Sequence, residues 1–199
     1  MNGFARLRDF AARGRSEDRC ALCGAPVEAR HSHVVEAATG GVLCVCIGCA
    51  GVFDHASGKF RRIPDRVTAI DELRLSTEEW AAFAVPIGLA FFRRNSILGK
   101  VQAFYPSPLG AVESSGPDEA WETLLRAHPE LASMEPDVEA FLVRVSHRRR
   151  EGFIAPLDEC HALIGLIRRE WRGFSGGDGV VPALDRFFEE LREKSGGRT

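Results

Sequence analysis

The 199-residue chain lacks a long hydrophobic run and a strong excess of either charge. Its densest apolar stretch, around residues 81–92, stops at Arg93 and Arg94 and is too short to cross a membrane. The formal net charge of -2 argues against a general nucleic-acid binder, whose surface would be basic. We therefore expect a globular protein with no membrane span and no nucleic-acid partner.

The opening residues also lack the pattern of an export signal, in which an unbroken apolar segment follows a positively charged start. Charged and apolar side chains are mixed there instead, as in a short amphipathic helix: Phe4, Arg6, Leu7, Arg8, Asp9 and Phe10. Without such a signal we expect a cytoplasmic protein, and cytoplasmic thiols stay reduced. A disulfide framework is therefore disfavoured as the role of the cysteines.

Those cysteines are concentrated near the start of the chain, where two clusters read Cys20-x-x-Cys23-Gly24 and Cys44-x-Cys46-x-x-Cys49. Two residues between cysteines let a tight turn aim both sulfurs at one ion, and a following glycine relieves the turn. About twenty residues separate the two halves, which is the span of paired-knuckle zinc sites. The spacing predicts a tetrahedral Zn²⁺ site with the ligands Cys20, Cys23, Cys46 and Cys49.

The metal and the full ligand set stay open at this point. Iron in a rubredoxin-like site is the alternative to zinc, because four thiolates suit both ions. Zinc is favoured, since Ala50 stands where a second knuckle glycine is expected. Cys44, His31 and His33 are possible further ligands, and Cys44 can either replace Cys46 or join the two histidines at a second position. The simpler explanation is that the histidines donate hydrogen bonds around the site or are solvated, and that Cys44 packs or forms a hydrogen bond.

The remaining pattern predicts an α+β fold, in which an N-terminal zinc-ribbon (rubredoxin-like) module precedes an antiparallel sheet backed by helices. We place the module, with its opening helix, at residues 1–62 and the α+β domain at residues 63–199. Short strands are expected at residues 34–35 and 41–43, with an extended return at 53–62. Two hairpins and four helices are expected beyond them: strands 85–93 with 100–105 and 138–146 with 152–155, and helices 76–83, 118–128, 157–171 and 181–194.

A rigid loop and the start of a strand carry the polar groups that we predict to contact a protein partner. Pro106 and Pro108 flank Ser107, which fixes the backbone and displays the hydroxyl. A stiff connection leaving a strand is the simpler explanation of the same pattern. The predicted contact residues are Tyr105, Ser107, Glu113, Ser114, Asp137 and Glu139.

An enzyme or small-molecule binder is the third possibility, built around Cys160, His161 and Ser107 in the second domain. A thiol near a helix N-terminus can be acidified, which would make Cys160 reactive. Helical spacing instead puts Cys160 on one face with Leu163 and Ile167, which predicts a buried, inert thiol. No nucleophile motif ties a histidine to Ser107. We therefore predict no catalytic residue.

Motifs spread over nearly the whole chain resemble an uncharacterised family, domain of unknown function 5947, encoded beside nickel-iron hydrogenase genes in certain soil bacteria. The resemblance rests on these segments: Cys20-x-x-Cys23-Gly24, His31-x-His33, Cys44-x-Cys46-x-x-Cys49, Ile63-Pro64-Asp65-Arg66, Pro86 to Phe91, Phe104-Tyr105-Pro106-Ser107-Pro108 to Glu113-Ser114, Glu135 to Ala140, Pro156 to Cys160, and Ile167-Arg168 to Gly177. It implies a gene neighbourhood and no reaction.

These observations lead us to expect a non-enzymatic metal-binding accessory protein. The resemblance implies that it acts in the assembly or maturation of a nickel-iron hydrogenase, through contact with a hydrogenase subunit or a maturation factor. A rubredoxin-like iron protein that carries electrons for a hydrogenase is the second expectation, and an enzyme or small-molecule binder is the third.

Overall fold

A computed structural model of the chain describes residues 19–53, 58–114, 118–146, 149–171 and 179–196. The helix predicted in the first ten residues lies outside the described residues. The described strands are β1 (Ser32–Glu36), β2 (Gly41–Val45), β3 (Phe60–Arg62), β4 (Thr68–Ile70), β5 (Leu89–Asn95), β6 (Lys100–Ser107), β7 (Gly110–Glu113), β8 (Glu139–Val145) and β9 (Arg150–Pro156). The helices are α1 (Ile47–Gly51), α2 (Thr77–Ala82), α3 (Asp118–Ala127), a 3-10 helix (Pro129–Ser133), α4 (Leu157–Glu170) and α5 (Val180–Gly196).

The strands form two antiparallel sheets. A small sheet with the order β2-β1-β3 belongs to the N-terminal module, by which we mean the described residues 19–62. A larger sheet with the order β4-β9-β8-β5-β6-β7 belongs to the main domain, the described residues 63–196. The mixed helix and antiparallel-sheet architecture predicted from the sequence is confirmed.

Alternation along the strands of the large sheet gives it two buried faces. In β5, Leu89 and Phe91 point to one face, while Ala90 and Phe92 point to the other. The first face packs against α4 and α5, and the second against α2, α3 and the 3-10 helix. Helices therefore cover both sides of the sheet, which is why its two central strands, β5 and β8, are buried along most of their length.

The hairpins predicted from alternating patterns are present. Strand β5 pairs with β6 in the register Phe91 to Phe104, and β8 pairs with β9 in the register Phe141 to Ile154. The four predicted helices are also present, with ends within two residues of the expectation. The sequence patterns missed β4, β7, the short helix α1 and the 3-10 helix. Only Phe60–Arg62 of the extended return expected at 53–62 forms a strand among the described residues.

The N-terminal module rests on the first face of the main sheet. Val35 of β1 is fully buried in the same apolar cluster as Leu89 and Phe91, and Val42 of β2 packs against it. Arg61 of β3 reaches the main domain, where it donates to the carbonyl of Pro136 at 2.6 Å. The placement of a domain boundary at residue 62 stays a prediction, but these contacts join the module to the core beside it.

Candidate metal centre

The first pair of cysteines lies on a tight turn that is tied to the small sheet. The amide of Gly24 donates to the carbonyl of Cys20 at 2.9 Å, and Gly24 adopts a left-handed backbone with φ 75°. Glycine takes this conformation without steric cost. The amide of Ala21 donates to the carbonyl of Cys44 at 2.8 Å, so the turn is fixed against β2. The glycine after the second cysteine therefore has the role that the motif predicted.

The second pair of cysteines uses a helix instead of a matching turn. Cys46 is the N-cap of α1, and its sulfur accepts a hydrogen bond from the amide of Cys49 at 3.4 Å. Ala50 lies inside this short helix and is fully buried. A helical position needs no left-handed residue. The alanine at this position therefore fits a second half whose backbone differs from that of the first, and it does not by itself distinguish zinc from iron.

These two local structures bring the four predicted ligands together. One sulfur each from Cys20, Cys23, Cys46 and Cys49 lies within 4.8 Å of the other three. The Cys23 and Cys46 sulfurs are 3.7 Å apart. A tetrahedral ion with bonds of about 2.3 Å needs sulfurs about 3.8 Å apart. The cluster can hold a metal ion and is compatible with a zinc-ribbon-like module.

The four thiols influence one another's ionisation. Amide donation from Cys46, with smaller contributions from Cys23 and Leu22, lowers the pKa of the Cys20 thiol to about 6. The sulfurs of Cys23, Cys46 and Cys20 raise the pKa of Cys49 to about 12. One thiolate thus forms readily, but its neighbours oppose the ionisation of Cys49. A metal ion would remove that conflict, because it balances the negative charge of the thiolates.

The other possible ligands form a separate cluster. His33 of β1 lies directly opposite Cys44 of β2, and His31 lies two residues before His33. One nitrogen of each histidine and the sulfur of Cys44 lie within 4.8 Å of one another. Cys44 is therefore grouped with the histidines and not with the four-cysteine cluster. The sequence left open whether Cys44 or Cys46 belongs to that cluster, and the structure places Cys46 in it.

Two of the predicted partner contacts are buried ionic residues. Asp137 and Glu139 are fully buried, and Arg61 and Arg66 donate to their carboxylates. Arg61 to Asp137 is 3.1 Å and Arg66 to Glu139 is 2.5 Å. These carboxylates hold the chain together and do not present an exposed surface.

The remaining predicted contacts lie around β6 and β7. The hydroxyl of Ser114 is buried and donates to the carbonyl of Phe83 at 2.8 Å. Tyr105 is partly buried against the second face of the sheet. Ser107 is partly exposed and Glu113 is exposed. Of the six predicted residues, Ser107 and Glu113 therefore offer polar groups at the surface.

Cys160 lies in an apolar environment, which is not the environment of a reactive thiol. The residue is completely buried in the apolar cluster beneath α4. Burial raises the pKa of the Cys160 thiol well above its usual value, and the charges of Asp158 and Glu159 add to the effect. The thiol therefore stays protonated and inert, as its helical spacing predicted.

Two further residues of the metal region could not be found from the sequence. Asp158, at the start of α4, contacts His33 across 2.8 Å, although the two residues are 125 positions apart. The carbonyl of Glu28 contacts Nδ1 of His31 at 2.7 Å. The only sequence signal for Asp158 was an acidic residue in the first turn of a predicted helix, which is common and points to no ligand.

Fold and site together define a cysteine-rich module, with a four-cysteine cluster that could hold a metal ion, packed on an α+β domain. The chain belongs to the family of unknown function DUF5947, whose family model matches residues 19–195. That match includes both cysteine clusters and nearly all of α5. The description of the family names no function and does not link it to hydrogenase genes. No curated protein and no solved structure matches the chain.

Among the described helices, none is both long enough and apolar enough to cross a bilayer. The longest of them, α5, carries charged residues along its length.

Proposed function

We propose that this protein is a non-enzymatic accessory protein whose N-terminal module, a zinc ribbon, holds a structural Zn²⁺ through Cys20, Cys23, Cys46 and Cys49. The observation that carries the proposal is the convergence of four sulfurs, from one turn and one short helix, within 4.8 Å. Four protein thiolates complete the tetrahedral shell of zinc, so no position remains for a substrate. Such a closed site stabilises a fold and does not perform a reaction.

The small core of the module supports a structural role for the metal. Its buried residues are Cys20, Val34, Val45 and Ala50, with a few partly buried neighbours. A core of this size contributes little burial free energy, and structural zinc commonly contributes on the order of 10 kcal/mol. The metal would therefore supply much of the free energy that folds these residues.

Metal analysis of the purified protein, combined with an absorption spectrum, tests this proposal. We expect one tightly held zinc ion per chain and no visible colour. A Cys49→Ser variant should lose that zinc, whereas Cys160→Ala, which removes the one cysteine outside the module, should keep it. Zinc-free wild-type protein with an intact small sheet would contradict the proposal.

Iron in the same four sulfurs is the second candidate function, and one observation favours it. The Cys46 sulfur accepts a hydrogen bond from the amide of Cys49 at 3.4 Å. Hydrogen bonds to sulfur tune the potential of iron-thiolate sites, so the same geometry suits an electron carrier. A red protein that loses its visible absorption on reduction would establish this function and exclude structural zinc.

The partner surface that we propose is the β7 edge, which we define as Ser107, Leu109, Val112 and Glu113. Strand β7 ends the described six-stranded sheet, so one side of its backbone is available for hydrogen bonds. Leu109 is 94% exposed and Val112 is 36% exposed. An apolar edge strand suits a partner that adds a strand and covers these side chains.

The proposed partner is a subunit or maturation factor of a nickel-iron hydrogenase, because the family resemblance implies that gene neighbourhood. The test is binding of the purified full chain to purified hydrogenase subunits and maturation factors. We expect a Leu109→Asp, Val112→Asp variant to lose binding. Leu98→Asp is the matched control, since Leu98 is 55% exposed and lies at the opposite end of β6. If the wild-type chain binds none of these proteins, the hydrogenase partner is refuted, while the zinc proposal stands.

A further inference from the structure

The small sheet presents metal-binding side chains on both of its faces. Val34 and Val45 point to the face that packs against the four-cysteine cluster. His33 and Cys44 are paired across β1 and β2 on the opposite face, together with Val35, which packs into the main core. The His31, His33 and Cys44 cluster is therefore separated from the four cysteines by the sheet itself and lies next to α4.

His31 has one ring nitrogen held by the backbone and the other buried without a hydrogen-bond partner among the described residues. Its Nδ1 lies 2.7 Å from the carbonyl oxygen of Glu28. A carbonyl can only accept, so Nδ1 carries the hydrogen and Nε2 of the neutral ring carries the lone pair. Nε2 of His31 is buried and has no hydrogen-bond partner. A buried acceptor without a partner is costly, and a metal ion would satisfy this one.

The ring of His33 is also held at Nδ1, in this case by a carboxylate, which is a stronger hydrogen-bond acceptor than a carbonyl. Its Nδ1 is 2.8 Å from a carboxylate oxygen of Asp158, and both side chains are mostly buried. A carboxylate that accepts from one imidazole nitrogen fixes the ring and makes the other nitrogen a better metal ligand. Both histidines therefore have the tautomer and the external support that metal-binding histidines require.

We propose that His31, His33 and Cys44 form a second site, separate from the four-cysteine site, for an exchangeable divalent transition-metal ion. Two imidazoles and one thiolate suit zinc and its first-row neighbours. Cys44 binds as the thiolate and its proton passes to solvent, while the neutral histidines bind through lone pairs. The charges of the thiolate and of Asp158 then balance the two positive charges of the ion.

Three protein ligands leave one coordination position for water or for an incoming ligand. His31, His33 and Asp158 line an open cavity of about 930 Å³, which gives that position a route to solvent. The four-cysteine site has no such position. The second ion is therefore accessible and exchangeable, which would allow this protein to take up or pass on a metal in addition to the structural role proposed above.

Titration of the purified full chain with Co²⁺ tests this site, because cobalt bound to thiolate absorbs in the near ultraviolet. We expect one equivalent of Co²⁺ to bind in addition to the ion held by the four cysteines, with a thiolate-to-cobalt band. Cys44→Ser and His31→Ala should each lose this equivalent and keep the zinc of the isolated protein. Cys160→Ala, the matched cysteine control, should bind cobalt like the wild type.

The same titration separates the two sites. Loss of zinc in Cys49→Ser with retention of the additional cobalt equivalent would show that the sites are independent. If the wild-type chain takes up no additional cobalt, or if Cys44→Ser and His31→Ala bind it unchanged, the second site is refuted. An isolated protein without zinc would refute the structural-zinc proposal, but the difference between wild type and Cys44→Ser would still report on the second site.

Asp158 is a positioning residue in this proposal, and its role has its own test. Asp158→Asn should weaken cobalt binding about 10-fold to 100-fold with unchanged stoichiometry, and it should shift the visible cobalt bands. Glu159→Gln is the matched control, because Glu159 is the next residue of α4 and pairs with Lys194. Equal affinities and spectra for the two variants would exclude a role for Asp158 at the metal.

Discussion

The N-terminal module and the main domain bury very different amounts of apolar side chain. The module has a core of four buried residues, of which Cys20 is one. The main domain has a cluster on each face of its sheet, and the second contains the stacked rings of Phe92, Trp121 and Phe141. The module therefore buries part of its apolar surface against its neighbour, whereas the main domain contains its own core.

Loss of the metal should separate the two regions most strongly. If the four-cysteine cluster holds a structural ion, as proposed above, Cys49→Ser would remove a contribution on the order of 10 kcal/mol to the folding of the module. We expect the amides of β1, β2 and β3 to lose protection from hydrogen exchange, while those of β8 and β9 keep it. Cys160→Ala should leave the protection of the small sheet unchanged. Equal loss of protection in both sheets would show that the two regions fold as one unit.

Truncation of the aromatic core should have the opposite distribution. Phe141 is completely buried, with its ring 5.9 Å from that of Phe92. Phe141→Ala removes this packing and should lower the free energy of unfolding by about 3–5 kcal/mol, measured by denaturant titration. The milder Phe141→Leu keeps most of the volume and should cost less. A loss of hydrogen-exchange protection in Phe141→Ala that is confined to the small sheet would contradict this distribution.

Local patterns determined what could be predicted from the sequence in both regions. Hairpins and helices follow from alternation and from periods near 3.6, which are local, and the cysteine spacing is local too. Such patterns identified the Phe91 and Phe141 strands and the four clustered cysteines. They could not show that α1 replaces a second turn, because the backbone of a knuckle depends on what packs beside it.

Contacts between distant segments were beyond the reach of these patterns. The ion pair of Arg61 with Asp137 joins residues 76 positions apart, and the contact of His33 with Asp158 joins residues 125 positions apart. Two carboxylates near a strand start were therefore interpreted as exposed partner contacts. Burial with a cation is a tertiary property, and a single sequence does not encode it in any short spacing.

The ion pair between the two regions offers a smaller test of their connection. Asp137 is completely buried and Arg61 is 15% exposed. Arg61→Met leaves the carboxylate without its cation and should cost about 3 kcal/mol or somewhat more in the free energy of unfolding. Lys59→Met is the matched control, because Lys59 pairs with Glu36 but is 70% exposed, and such pairs contribute about 0–1 kcal/mol. Equal losses would show that Arg61 does not tie the module to the main domain.

The smallest expected effect lies at the start of α2, far from both candidate metal clusters. The hydroxyl of Ser76 accepts from the amide of Glu79 at 3.1 Å, and the carboxylate of Glu79 accepts from the amide of Ser76 at 2.6 Å. Ser76→Ala removes the first bond and should lower the free energy of unfolding by about 1 kcal/mol. Ser76→Thr keeps an accepting hydroxyl and should cost less. Zinc content should not change in either variant, because α2 packs on the main domain alone.

The pH dependence of this cap follows from the second bond. Amide donation from Ser76 lowers the pKa of Glu79 below its usual value. The folded state therefore favours the ionised carboxylate, and the stabilisation is fully present above the unfolded pKa of about 4.3 and is lost as the pH falls through the lowered folded value. Glu79→Gln should remove this part of the acid destabilisation in denaturant titrations between about pH 6 and pH 3. An unchanged acid profile in Glu79→Gln would show that other carboxylates, and not the cap of α2, determine the acid response of the main domain.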